Sequence, residues 1–162
     1  MKLHLALDDV QRAEMDLAAQ LRRLAEHHAT DHDVYHLGHA LAEQCAEHVV
    51  HLRPFVERYD AKAVDLDDAS SAGIIESLRH RAATALGRVE IAGLALLRDL
   101  RDTYLAAELV EIDWTILEQA AKAVRDPELL GVVSTCHEQA EHTAMWLRTR
   151  IKVGTAQVLS TR

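Results

Sequence analysis

Residues 96–124, LLRDLRDTYLAAELVEIDWTILEQAAKAV, decide the fold of this 162-residue chain. Apolar and small residues recur in this stretch at alternating spacings of three and four, the period of a helix with one buried face. This stripe consists of Leu96, Leu100, Thr103, Ala107, Val110, Trp114, Leu117, Ala121 and Val124. We therefore predict one long helix over residues 88–124 in an all-α protein.

The same helix carries a second set of apolar residues, which we call the outer stripe. It consists of Leu105, Leu109, Ile112 and Ile116. A helix that is apolar on more than one side needs a cover besides the other helices of its own bundle. That cover is either the connector described below or a second subunit, and we predict a homodimer through this helix.

Three further segments share the helical period, at residues 8–29, 31–59 and 127–152. Asp8 or Asp9 is in position to cap the first of these helices, and Thr30, with an acid three residues later, resembles a capping box for the second. Asp126 and Pro127 are typical of a helix start, while Gly154 is expected to end the last helix. The sequence thus predicts four long helices.

The turns near residues 30 and 126 are so short that each pair of helices must be antiparallel. Between the pairs lies a connector at residues 60–87, in which Ser70 or Ser71 is in position to cap a short helix that Gly87 closes. We predict one domain over residues 1–162, a four-helix bundle of two hairpins joined by a long crossover.

Composition excludes several classes of function. The chain has 26 Asp plus Glu against 18 Lys plus Arg, a net charge of −8, which disfavours nucleic acid as a partner. No apolar run is long enough for a membrane helix, the first residues do not resemble a signal peptide, and no Gly-rich loop offers a nucleotide site. We expect a cytoplasmic protein.

Polar residues interrupt the apolar stripes near the middle of each predicted helix, where helical bundles build their metal sites. These candidate metal ligands are Glu14, Cys45, His48, Glu108, Glu111, His137, Glu138 and Glu141. Residues equally distant from a hairpin turn lie level, so Glu14 is level with position 46 and Glu111 with Glu141. Both groups fall about 22 Å from their turns, at mid-height. Carboxylate and imidazole ligands favour iron or manganese.

Each of these residues also has a plain structural role open to it. Glu14 can pair with an arginine at the bundle edge, and His48 can be a hydrogen-bonded buried histidine. Cys45 is most simply a small buried hydrophobe, since thiolate is too soft a donor for a carboxylate-rich iron site. The acids on the third helix can face solvent, and His137 with Glu141 is a pair that surface helices use.

Histidine is unusually frequent, with 11 residues in the chain and seven of them between residues 27 and 51. On the second helix His32 and His36 are one turn apart, a spacing that can hold a divalent ion between exposed imidazoles. A solvated or pH-responsive face is the alternative interpretation. A protein that buffers metal ions through these exposed histidines is a weaker hypothesis, beside the bundle metal site and the dimerisation module.

The four-helix pattern with mid-height carboxylates resembles the ferritin-like superfamily, closest to the small stress-associated ferritin-like proteins. In that superfamily a dinuclear iron or manganese site takes one Glu from each of two helices and Glu-x-x-His from each of the others. Glu14 matches the first lone Glu, and Glu108 or Glu111 the second. On the second helix His48 matches the His, while Cys45 stands where the pattern has Glu.

The fourth helix reads Glu138-Gln139-Ala140-Glu141, so a Glu stands where the pattern has its second His. The resemblance implies one or two divalent ions, iron or manganese, at mid-bundle, and a role in iron handling or the response to oxidative stress. The implied reaction class is metal-centred oxidation by O2 or peroxide. The alternative is a non-catalytic bundle with a degenerate site, without a cofactor, that serves as a dimerisation or interaction module.

Overall fold

The computed structural model describes residues 2–67 and 89–160 of the chain. Its elements are α1 (Leu3–His27), α2 (His32–Arg58), α3 (Val89–Val124) and α4 (Pro127–Ser160), with no strand in these ranges. The four helices pack as a bundle, which confirms the all-α prediction. No helix of the described ranges has the length and apolar character needed to cross a membrane. The predicted short helix of the connector falls outside the described residues.

The helices alternate in direction around the bundle. Tight turns make α1 antiparallel to α2 and α3 antiparallel to α4, as predicted. Across the two hairpins, α1 is antiparallel to α3 and α2 to α4, as shown by four contacts: Glu14 with Trp114, His28 with Asp99, His48 with Gln139, and Arg58 with Asp126. Consequently α2 and α3 run in the same direction.

The predicted apolar stripes form the core. On α3 every stripe residue from Leu100 to Ala121 is buried, and Trp114 is the largest side chain with no exposed surface. The α4 stripe from Leu129 to Leu147 is buried as well. On α2, Leu37 is 41 % exposed, because this helix packs on α1 through the neighbouring Gly38.

The ends of α1 and α2 differ from the prediction. α1 begins at Leu3 rather than Asp8, because Leu3 and Leu7 extend its buried stripe by two turns. The Asp8 carboxylate instead accepts a hydrogen bond from the backbone N–H of Lys62, at 2.7 Å. Asp31, not Thr30, caps α2, since its carboxylate accepts from the Val34 N–H at 3.1 Å.

For α4 the predicted start is confirmed, but the predicted end is wrong. Asp126 accepts a hydrogen bond from the Leu129 N–H at 3.0 Å, which confirms the predicted start at Pro127. Gly154 does not end the helix, which continues to Ser160. A Cβ atom at Gly154 would lie 3.1 Å from Leu97 Cδ2, so this glycine permits close packing of α3 on α4.

The outer stripe of α3 remains exposed. Leu105 is 60 % exposed, Leu109 54 %, Ile112 56 % and Ile116 53 %. These four side chains lie on the opposite side of the helix from the core stripe. The described part of the chain therefore leaves an apolar face of about three helical turns uncovered, as the sequence indicated.

Candidate functional site

The structure divides seven of the eight candidate ligands between two clusters at mid-height. The inner cluster, in the core, contains Glu14, Cys45 and His48; the outer cluster, between α3 and α4, contains Glu108, Glu111, His137 and Glu141. The predicted levels are right for both hairpins. The two clusters do not merge, because Trp114 occupies the core face of α3 and Glu111 faces α4. Glu138 is exposed and lies in neither cluster.

Around the inner cluster a hydrogen-bonded network, which we call the inner network, takes one side chain from each helix: Glu14, His48, Trp114 and Gln139. Nδ1 of His48 lies 2.7 Å from Glu14 Oε1, and Nε2 of His48 lies 2.7 Å from Gln139 Oε1. The indole Nε1–H of Trp114 donates to the same Glu14 oxygen at 2.6 Å. Glu14 and His48 are 1 % and 2 % exposed. These contacts form a continuous polar network through the centre of the bundle.

The charge state of His48 follows from its two partners. Burial lowers the pKa of His48, but the hydrogen bonds to Glu14 and Gln139 and the charge of Glu14 outweigh it and raise the pKa. With an oxygen at each ring nitrogen, the protonated imidazole donates twice. Glu14 and His48 then form a buried ion pair without net charge.

Both cysteines are held as neutral thiols. Burial, then the charge of Glu14 and a hydrogen bond to it, raises the pKa of Cys45 well above its usual value. Burial and the Glu14 charge raise the pKa of Cys136 to about 12. A thiol binds metal only as thiolate, so these shifts disfavour Cys45 as a ligand. The interpretation of Cys45 as a small buried hydrophobe fits this geometry.

The outer cluster brings three potential metal ligands together. Glu111, His137 and Glu141 each offer one ligand atom, and these atoms all lie within 4.8 Å of one another. Burial raises the pKa of Glu111, and the charges of Glu108 and Glu141 raise it further. Crowded carboxylates of this kind are relieved by a cation, so the cluster is electrostatically suited to a divalent ion.

His137 is oriented by an acid that sequence reasoning missed. Nδ1 of His137 lies 3.4 Å from Glu118 Oε2, while Nε2 lies 3.7 Å from Glu141 Oε1. Lys122 Nζ holds the other Glu118 oxygen at 2.6 Å. A hydrogen bond to Lys122 is the main cause that lowers the pKa of Glu118, with His137 contributing. Metal-binding histidines are typically oriented by such a carboxylate on the second nitrogen.

The outer cluster opens into a groove of about 390 Å³ on the surface between α3 and α4. Its lining includes Tyr104, Glu108 and Arg148 beside the two acids of the cluster. The Tyr104 hydroxyl donates a hydrogen bond to Glu108, which raises the pKa of Tyr104, and it accepts one from Arg148 at 2.5 Å. Water can reach the outer cluster through this groove and complete a coordination shell.

Two residues of the inner network were not predicted as polar partners. Trp114 was assigned to the apolar stripe, and its indole N–H is the only sign that such a residue needs an acceptor when buried. Gln139 lies beside the core stripe of α4, and its amide oxygen lies 2.7 Å from His48 Nε2 on α2. Only a weak sequence signal points to Glu118: the position on α3 that is level with His137 is residue 115, one helical turn before Glu118.

No protein-family model matches the chain, and no curated protein or solved structure matches it either.

Proposed function

We propose that this protein is a ferritin-like four-helix bundle that binds a divalent metal ion, iron or manganese, at Glu111, His137 and Glu141. The observation that carries the proposal is the convergence of three ligand atoms within 4.8 Å of one another at mid-height. One imidazole and two carboxylates provide one nitrogen and two or more oxygens, and the open groove admits water for the remaining positions. The role is in iron handling or oxidative-stress defence.

The helix directions support the ferritin-like part of the proposal. Because α2 and α3 run the same way, the chain leaves α2 at one end of the bundle and enters α3 at the other. Two helices that run the same way are not joined by a tight hairpin turn, and ferritin-like folds join such a pair by a single long crossover.

The donor set supports iron or manganese over softer ions. The ligands of the outer cluster are carboxylate oxygens and an imidazole, and no thiol lines its groove among the described residues. Divalent manganese and iron accept such mixed oxygen and nitrogen sets. In the inner cluster one Glu14 oxygen already accepts from both His48 and Trp114. We therefore assign the metal to the outer cluster.

The test is metal binding by the whole protein. Apo-protein is titrated anaerobically with Fe²⁺ and, separately, with Mn²⁺, and the bound ion is counted by elemental analysis after desalting. We expect one ion per chain. Glu111→Gln, His137→Ala and Glu141→Gln should each weaken binding by at least about tenfold, because each removes one of three ligands.

Glu138→Gln is the matched control. Glu138 is an exposed acid that follows His137 directly, so its removal changes the net charge equally without touching the cluster. It should leave the affinity unchanged. Occupancy near zero with both metals, or equal losses in Glu138→Gln and Glu141→Gln, would refute the proposed site.

The exposed outer stripe favours a second candidate function, a homodimerisation module. The spacings between Leu105, Leu109, Ile112 and Ile116 are four, three and four, which read the same in both directions. Two antiparallel copies of α3 therefore place Leu105 opposite Ile116 and Leu109 opposite Ile112. Each half-exposed side chain contributes about 1 kcal/mol on burial. Summed over the eight side chains of the two copies, this contribution is close to the free-energy cost of association, so we propose a weak dimer.

Sedimentation velocity over a range of concentrations tests this candidate. The wild-type chain should associate at high concentration, and Leu109→Glu should keep it monomeric because a buried unpaired carboxylate is costly. Leu159→Gln is the control, since Leu159 is 68 % exposed but lies far from the outer stripe, near the end of α4. A wild-type monomer at every concentration would refute the dimer and leave the metal site untouched.

A further inference from the structure

We propose that His32 and His36, in the first turns of α2, form a second metal site that binds a borderline divalent ion such as Zn²⁺ or Ni²⁺. This site lies at the end of the bundle near the first hairpin turn, away from the outer cluster at mid-height. It is independent of the proposed function. Its ligands are imidazoles alone, so it is selective for different metals from those of the outer cluster.

The geometry of the two rings carries the proposal. His32 and His36 are four residues apart on a regular helix, and their rings lie nearly parallel, at 14°, with centroids 6.3 Å apart. Two metal–nitrogen bonds of about 2.1 Å that meet at a tetrahedral angle place the ring centroids of a chelating pair roughly 5 Å apart, so the two rings must approach by about 1 Å and turn away from their parallel arrangement. Both side chains are exposed, and rotation about their χ1 and χ2 bonds brings one nitrogen of each ring onto one ion.

Both rings are available for binding. His32 and His36 are exposed, and within the described residues neither makes an ion pair or a hydrogen bond. Tyr35 packs against His36 in a T-shaped arrangement, with ring centroids 5.2 Å apart, which restricts that ring. His39 continues the same face of α2, but its Nε2 lies 2.8 Å from Glu26 Oε1 and is already engaged.

An acid beside the pair offsets the electrostatic cost of placing a cation at the N-terminus of α2. The helix N-terminus carries a partial positive charge, which by itself disfavours a metal ion. Asp31, the capping residue, and Asp33 flank His32 with two carboxylates in this first turn. Asp31 also pairs with Arg150 at 2.5 Å, so Asp33 is the acid whose charge remains to offset the helix dipole.

The site is tested in the full-length chain carrying Glu111→Gln and Glu141→Gln, which silence the outer cluster. Isothermal titration with Ni²⁺ and with Zn²⁺ should show one ion bound per chain. His32→Ala and His36→Ala should each weaken binding by at least about tenfold, because a single imidazole loses the chelate. Circular dichroism of each variant checks that the helices are retained.

His51→Ala is the matched control, because His51 is another exposed histidine on α2, far from the pair. It should bind Ni²⁺ as the parent does. The site is refuted if the parent binds neither ion, if His32→Ala binds as tightly as the parent, or if His51→Ala weakens binding equally. Because the parent already lacks the two acids of the outer cluster, a failure of this experiment says nothing about that cluster. The outer cluster is tested separately, by the titration with Fe²⁺ and Mn²⁺.

Discussion

Replacing His48 by Ala should destabilise the bundle severely and remove a pH dependence of its stability. The substitution takes away the cation of the buried pair and leaves the Glu14 carboxylate, 1 % exposed, without a charge partner. Breaking one half of a buried ion pair costs about 3–5 kcal/mol. The Gln139 oxygen also loses its donor, which adds about 1 kcal/mol or more.

The expected total, about 4–6 kcal/mol, approaches the whole stability of a small domain. Glu14→Gln should cost only about 1–3 kcal/mol, because the amide oxygen can still accept from His48 and Trp114. The double variant should cost less than the sum of the two single changes, by roughly 1–3 kcal/mol, since neither partner is then left charged and alone.

The pH dependence has a definite sign. The pKa of His48 is raised in the folded state above its ordinary value of 6.5. The stabilisation that this shift represents is complete below the unfolded value and is lost as the pH rises through the folded value. The free energy of unfolding should therefore fall as the pH rises from about 6.5 toward the raised pKa. His48→Ala should lack this decline.

Urea unfolding, followed by circular dichroism at several pH values, measures both effects. His51→Ala is the control, as an exposed histidine on the same helix. A cost below about 1 kcal/mol for His48→Ala, or a decline with pH that persists in that variant, would refute the buried ion pair. Such a result would mean that His48 is neutral in the folded chain.

Three further predictions concern other positions. Glu111→Gln should stabilise the apo-protein by about 0.5 kcal/mol in urea unfolding, because it relieves repulsion among the outer acids, although it weakens metal binding; a loss of apo-stability would contradict this. Gly38→Ala should destabilise by about 1–3 kcal/mol, since its Cβ would lie 3.0 Å from Ala25 Cβ, while Gly131→Ala, with open space, should stabilise by about 0.5–1 kcal/mol. Cys136, with its pKa raised to about 12, should resist iodoacetamide at pH 8 until the chain is unfolded, and rapid alkylation of the native chain, detected by mass spectrometry, would argue against its burial.

Much of the fold could be predicted from the sequence because burial follows helical period. The start of α3 was predicted within one residue of Val89, and its end at Val124 was predicted correctly. The errors arose where one residue type serves two purposes. Asp8 has the chemistry of a cap but bonds a residue of the connector, and Gly154 resembles a helix end but provides close packing. Tertiary contacts decide such cases, and a single sequence does not contain them.

The candidate site was predictable in height but not in direction. Reflection through the hairpin turns correctly placed Glu111 level with Glu141, since rise per residue is constant along a helix. Whether a side chain beside a stripe faces the core or the groove depends on a rotation of a few tens of degrees. That rotation separates Glu14 from Glu111, and it explains why Trp114 and Gln139 complete the inner cluster.

The inner network also determines how the two hairpins are aligned along the bundle axis. Apolar stripes rich in Leu and Ala repeat every heptad, so one hairpin can slide past the other by about 10 Å and still bury a similar surface. Glu14, His48, Trp114 and Gln139 meet in only one alignment. Replacing all four by apolar residues of similar volume should preserve a helical bundle while allowing several alignments, which would appear as broadened amide resonances. The polar centre of this protein thus specifies one axial alignment of the two hairpins, and the uniqueness of its native structure depends on that network.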